Sequence, residues 1–229
     1  GKMHLLTHEE LWQQDGDVVT RFLGDDNNPE NNFNVTTLAQ AIASTGKKME
    51  YILFDACFMA NVESLYDLRH SAKYIVASAC EIMGAGFPYM DILPLMLQNN
   101  GTTYDLPQIC EKYYLDYKDD AFYPSGAVAL VDCSQLDALA KAMKAVNAAN
   151  KKEYDIANLQ SFERMQNHIF FDLGDYVNSA CDDSAVKEAF NKQLNQTIIK
   201  KYTPERFYSA YPSRNAGICE LTSFCGIST

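Results

Sequence analysis

The sequence predicts an α/β fold, with a mostly parallel central sheet covered by helices on both faces. Three observations carry this reading. Short apolar runs recur at 51–56, 74–78 and 127–131, each of strand length. Runs of this kind fit strands buried on both faces. Between them lie stretches with apolar residues at helical spacing, and alternation of the two argues for a parallel sheet inside two helical layers. The composition permits such a core, since 47% of the 229 residues are apolar and 21% are charged.

Taken in order, residues 1–33 are polar and irregular, and 24–32 reads as a loop by composition. Asn34 stands where a helix cap belongs, with Leu38 and Ile42 on one face behind it and Gly46-Lys47-Lys48 at the end. The first buried run follows, then Met59, Val62, Leu65, Tyr66 and Arg69 at helical spacing. After the second run, Gly84, Gly86 and Pro88 make a loop, and Ile92, Leu95 and Met96 begin another helix. Tyr113, Tyr114 and Tyr117 read as core packing. The third run follows Pro124-Ser125-Gly126, and Leu136, Leu139, Met143 and Val146 mark an amphipathic helix behind it. These elements make residues 1–150 one core. Residues 151–229 read as a mainly helical C-terminal region, in which Asp183 or Ser184 caps a helix turning Val186, Phe190, Leu194 and Ile198 inward. The stretch 217–221 is strand-like. Gly1-Lys2-Met3-His4 resembles neither a translation start nor a signal peptide, and the last residues stop without a polar tail. The expectation is a longer gene product.

Charge and cysteine content narrow the function. The net charge of −11 argues against binding a phosphate backbone. No apolar run reaches the roughly 18 to 20 residues of a membrane helix. The seven cysteines are odd in number and form no C-x-x-C pair, so neither a fully paired disulfide framework nor a structural zinc site is expected. There is no G-x-G-x-x-G or G-K-[ST] phosphate loop, which argues against a cysteine-dependent transferase.

The informative segment is Asp55-Ala56-Cys57-Phe58-Met59, followed by a helical stretch with Glu63. In an open parallel sheet, function collects at the carboxyl ends of the strands, which is where Cys57 falls. A helix start just after it would lower the thiol pKa. Placement alone leaves two readings, a buried structural thiol or a nucleophile.

This segment resembles the nucleophile segment of clostripain-type cysteine peptidases, of the caspase-like clan that includes gingipains, caspases and legumain. Ala77-Ser78-Ala79-Cys80-Glu81 resembles the clan's second active-site loop. Gly84-Ala85-Gly86-Phe87-Pro88-Tyr89 is similar to the G-x-G-x-P-Y segment of clostripain-like proteins, and 126–132 to the next core strand. The resemblance implies a caspase-like three-layer α/β/α sandwich, Cys57 as nucleophile and a Cys–His dyad. It also implies cleavage after Arg or Lys. A basic side chain needs a carboxylate at its pocket floor. Asp55 is the first candidate, because strand alternation puts it on the same side as Cys57; Glu81 and Asp91 follow.

The histidine does not match. The family pattern has His followed by Gly upstream of the Cys, whereas His4 precedes Leu5 and His8 precedes Glu9. His8-Glu9 is no H-E-x-x-H either, because position 12 is Trp12. His70 and His168 come after Cys57; His70 ends a helix, and His168 is expected to pack beside Phe170. The resemblance therefore implies that this chain is the Cys-bearing piece of a self-cleaved enzyme. Its partner is then a light chain carrying the His, its substrate a peptide or protein with Arg or Lys at the cut, and its setting a bacterial secretion or cell-envelope space. No cofactor is expected, although the acidic stretch Asp25–Glu30 invites a calcium reading without EF-hand spacing. The alternative is a catalytically silent homologue that binds peptides or partners.

Overall fold

The computed structural model of the protein describes residues 22–25, 28–97, 104–149, 153–211 and 213–229. His4, His8, Trp12 and the chain start lie outside the described residues, as do positions 26 and 27 of the acidic stretch.

The described residues begin with β1 (Phe22–Asp25) and β2 (Asn28–Asn34), an antiparallel pair. Polar composition predicts a loop here. The strands form nonetheless, because a two-stranded ladder needs paired backbone groups rather than apolar side chains. Asn34 then caps α1 (Val35–Ser44), its side chain accepting from Thr37 N at 2.8 Å. β3 (Met49–Leu53) leads to α2 (Val62–Leu68), and β4 (Ala72–Ala77) to α3 (Tyr89–Met96) and α4 (Leu106–Tyr117). β5 (Val128–Asp132) is followed by α5 (Leu136–Ala149). The last stretch holds α6 (Leu173–Ala180), α7 (Ser184–Thr197), β6 (Ile198–Tyr202), β7 (Arg206–Ser209) and β8 (Gly217–Glu220). Asp183, not Ser184, caps α7, accepting from the N–H groups of Ala185 and Val186.

The central sheet has the order β3-β4-β5-β6. β3 and β4 are parallel, with Leu53 opposite Val76, whereas β5 runs antiparallel to β4 and β6 antiparallel to β5. The sheet is mixed, and the connection explains why. Two helices, α3 and α4, separate β4 from β5. One helix would return the chain to the start of β4; the second carries it back to the carboxyl end, so β5 must run the other way. β6 comes from residues 151–229, so this region, expected to be mainly helical, also supplies an edge of the described sheet and carries two further strands.

Strand alternation divides the core into two. Ile75, Ala77 and Val131 pack with Leu65, Leu136 and Phe190 on the face covered by α2, α5 and α7. Val76, Val128 and Leu130 pack with Ile92, Ile109 and Tyr113 on the face covered by α3 and α4. The result is three layers, helices on both faces of one sheet. Tyr113 is fully buried and stacks on Phe87 with centroids 4.4 Å apart. The chain end is part of the core too. Ile227 and Ser228 are fully buried, and Ser228 bridges Asn61 on one side and Asp172 on the other.

Candidate active site

β3 and β4 run on side by side past their last paired residues. Phe54 N–H donates to Val76 O (2.9 Å), Phe58 N–H to Cys80 O (3.1 Å) and Ala60 N–H to Ser78 O (2.9 Å). Two loops therefore leave the carboxyl ends of adjacent parallel strands in contact. Asp55 and Cys57 sit on one loop, Glu81 to Gly86 on the other.

Cys57 is open to solvent, and its sulfur lies against the backbone of Ile82. Ile82 N–H donates to Sγ at 3.3 Å, and Sγ lies 3.6 Å from Ile82 O. The expected helix start does not reach it: α2 begins at Val62, capped by Asn61, whose side chain accepts from Ser64 N at 2.8 Å. The residues between fold as a tight turn that the apolar spacing from Met59 onward disguises as helix. The thiol pKa is accordingly raised, not lowered. Protein atoms crowd the sulfur enough for desolvation to act most strongly, with the charges of Glu81 and Asp55 adding to it; the Ile82 N–H pulls the other way. A thiol in this state needs a cationic neighbour to become a nucleophile near neutral pH.

Asp55 and Cys57 line one cavity of about 230 Å³, together with Ala56, Ile82, Met83, Gly84, Ala85 and Gly86. The Asp55 carboxylate is exposed and accepts from Tyr89 Oη at 2.8 Å. That phenol has its pKa pushed up to about 12, first by burial and then by Asp55. Gly86 is required here. A Cβ on it would lie 2.4 Å from Asp55 Oδ2, and its φ of +71° suits glycine. Its carbonyl accepts from Tyr117 Oη at 2.7 Å, which anchors the loop to α4. Tyr89, Gly86 and Tyr117 were not singled out as site residues from the sequence; the glycine-rich segment ending in Tyr89 was the available signal.

Glu81 does not line this cavity. It is 6% exposed, and its carboxylate accepts from Ser209 Oγ (2.7 Å), Ala210 N (2.9 Å) and Tyr211 N (3.2 Å). It thus fastens the end of β7 to the loop that holds Ile82. Asp91 lies in the first turn of α3, exposed and outside the cavity wall. Neither described histidine lines the cavity. His70 is exposed beyond the end of α2, and His168 Nδ1 sits 3.0 Å from the buried carboxylate of Glu163, its ring edge-on to Phe171 and not Phe170. Among the described residues, no group of three His, Cys, Asp or Glu side chains could hold a metal ion.

The arrangement offers a thiol beside a backbone N–H, with a carboxylate two residues away on the same cavity wall. It can hold a cation next to a site of covalent attack. Residues 3–219 match the model of the clostripain family. No curated protein matches the chain. Several solved structures are similar. A clostripain from Bacteroides thetaiotaomicron in complex with the peptide inhibitor BTN-VLTK-AOMK is 36% identical, with a TM-score of 0.80 over 90% of this chain and 88% of that one. A secreted cysteine protease from the same organism, iotapain, is 35% identical, with a TM-score of 0.82 over 95% of this chain and 59% of that one. An inactive protease zymogen from Parabacteroides distasonis is 27% identical, with a TM-score of 0.74 over 92% and 60%. The chain therefore spans about three fifths of the length of the last two.

Proposed function

Because the chain belongs to the clostripain family of cysteine peptidases, we propose that Cys57 is its nucleophile and that it cuts peptide bonds after Lys or Arg. The observation that carries this is the shared cavity: the Cys57 thiol and the Asp55 carboxylate line the same wall. A Lys or Arg side chain entering the cavity pairs with Asp55, which sets the following peptide carbonyl beside the sulfur. The thiolate attacks that carbonyl carbon, backbone N–H groups near Cys57 hold the oxyanion, and the amine leaves with a proton. Water then cleaves the thioester. Glu81 adds negative charge behind the wall, while its oxygens are occupied by the 209–211 segment. The Lys that ends the peptide letters of the inhibitor bound to the 36% identical relative supports a basic residue at the cut.

The proton carrier in this reading is a His on a light chain, produced when the enzyme cuts itself. Two features support it. Burial and the charges of Glu81 and Asp55 hold the Cys57 pKa up, which a cationic partner would offset, and β3 has, among the described residues, a ladder partner along one edge only. A light-chain strand along the free edge of β3 would end beside the loop bearing Cys57. The inactive zymogen among the similar structures supports activation by cutting. The secreted relative supports export from a bacterial cell or retention at its envelope, and no described helix is long and apolar enough to cross a membrane.

A Lys-directed acyloxymethyl ketone tests the reading. In the complete enzyme the Cys57 thiolate is expected to displace the acyloxy group as a carboxylate, so the chain gains the mass of the remaining peptidyl methyl ketone, and peptide mapping is expected to place the adduct on Cys57. An adduct on another cysteine, or none, overturns it.

A further inference from the structure

Phe58, directly after Cys57, has a φ of +59° and is the one non-glycine residue among the described residues with a positive φ. An L side chain is crowded by its own backbone in this region, and such residues persist only where their surroundings fix them. Phe58 is fixed at three points. Its N–H donates to Cys80 O at 3.1 Å, its carbonyl accepts from Asn61 Nδ2 at 2.7 Å, and its ring lies on that of Phe170, with centroids 4.6 Å apart and planes 6° from parallel.

The ring contact is the one that comes from far along the chain. Phe170 belongs to a loop built around a buried carboxylate. Glu163, 1% exposed, accepts from the N–H groups of Met165 (2.8 Å), Ile169 (2.8 Å) and Phe170 (3.3 Å). Phe162 N–H donates to Phe170 O at 2.9 Å. The Phe170 ring is thus presented to the residue that needs holding by a loop cross-braced through these hydrogen bonds.

We propose that Phe58 and Phe170 are positioning residues for peptide-bond cleavage: their stacked rings hold the left-handed turn that aims the Cys57 thiol at the cavity. Relaxing Phe58 to an ordinary φ redirects the chain between 57 and 59, which swings the sulfur away from Ile82 and the substrate carbonyl. Substrate binding at Asp55 is left in place. The proposal rests on Cys57 being the nucleophile.

The test uses Phe58→Leu, Phe170→Leu and their combination in the complete enzyme, with active sites counted by the Lys-directed inhibitor. Misplacing a reacting atom by about 1 Å costs up to ~100-fold in rate. The expected result is a kcat per titrated site lower by about 10- to 100-fold, with KM for a Lys substrate within about twofold. The double variant should be no slower than the slower single one, because both remove one stack. Phe58→Tyr keeps the ring and should restore kcat. Phe58→Gly has no ring but adopts the positive φ without strain, so it should keep kcat per site within a few fold of wild type although the lost packing lowers its melting temperature. If Phe170→Leu fails to fold, the contrast between Phe58→Leu and Phe58→Gly decides. Wild-type kcat per site in Phe58→Leu, a Phe58→Gly loss as large as that of Phe58→Leu, or additive losses in the double variant overturns the proposal. Failure of the nucleophile reading looks different: Cys57→Ala would still cut, whatever the Phe58 variants do.

Discussion

Replacing Cys57 by alanine is expected to abolish peptide-bond cleavage and to leave the fold intact. Removing the nucleophile from a catalytic unit lowers turnover by about 10⁴-fold or more. The cost to stability is small for structural reasons. The residue is open to solvent, and the hydrogen-bond contacts of its sulfur are with the Ile82 backbone. Losing them is worth about 1 kcal/mol or less. The turn is held by other bonds, since Phe58 N–H and Ala60 N–H donate to Cys80 O and Ser78 O. Turnover of a fluorogenic Lys peptide and a thermal melt check the two halves. Turnover within tenfold of wild type would remove Cys57 from the chemistry.

Asp55→Asn has the second largest expected effect, and it is selective. Asparagine has nearly the same shape, can still accept from Tyr89 Oη, and fits beside Gly86. What it lacks is the charge. Losing one partner of a desolvated ion pair costs about 2 to 5 kcal/mol, and the lower end applies because Asp55 is exposed before substrate arrives. kcat/KM for Lys and Arg substrates should therefore fall by about 30-fold or more, since every 1.4 kcal/mol is tenfold. Reactivity of Cys57 toward iodoacetamide should not fall, because the Asp55 charge raises the thiol pKa and its loss leaves more thiolate. An equal drop on Lys and Leu substrates would make Asp55 structural.

Several of these features were legible in the residues. The apolar runs marked β3, β4 and β5, although β3 is exposed to half-buried rather than buried on both faces as expected, and Asn34 and Asp183 were readable as caps because capping is local chemistry. The carboxyl end of β3 drew attention to Cys57 and Asp55, and both line the cavity. What escaped depends on contacts distant in sequence. Strand direction at β5 is set by how many helices return the chain, which no periodicity states. Nothing near Glu81 in the sequence announces Ser209 to Tyr211 as the partners of its carboxylate. The turn at 58–60 carries apolar residues that read as a helix, and only the fold shows Phe58 pinned in a left-handed conformation. The fit of Gly86 against Asp55 likewise joins residues 31 apart.

The central claim is that a cation held at Asp55 places the bond to be cut at Cys57. The most direct measurement digests an unfolded protein of known sequence with the complete enzyme and identifies the new carboxyl ends by mass spectrometry. The account predicts Lys or Arg at those ends, and their loss from the products of the Asp55→Asn enzyme. New ends dominated by uncharged or acidic residues would contradict it.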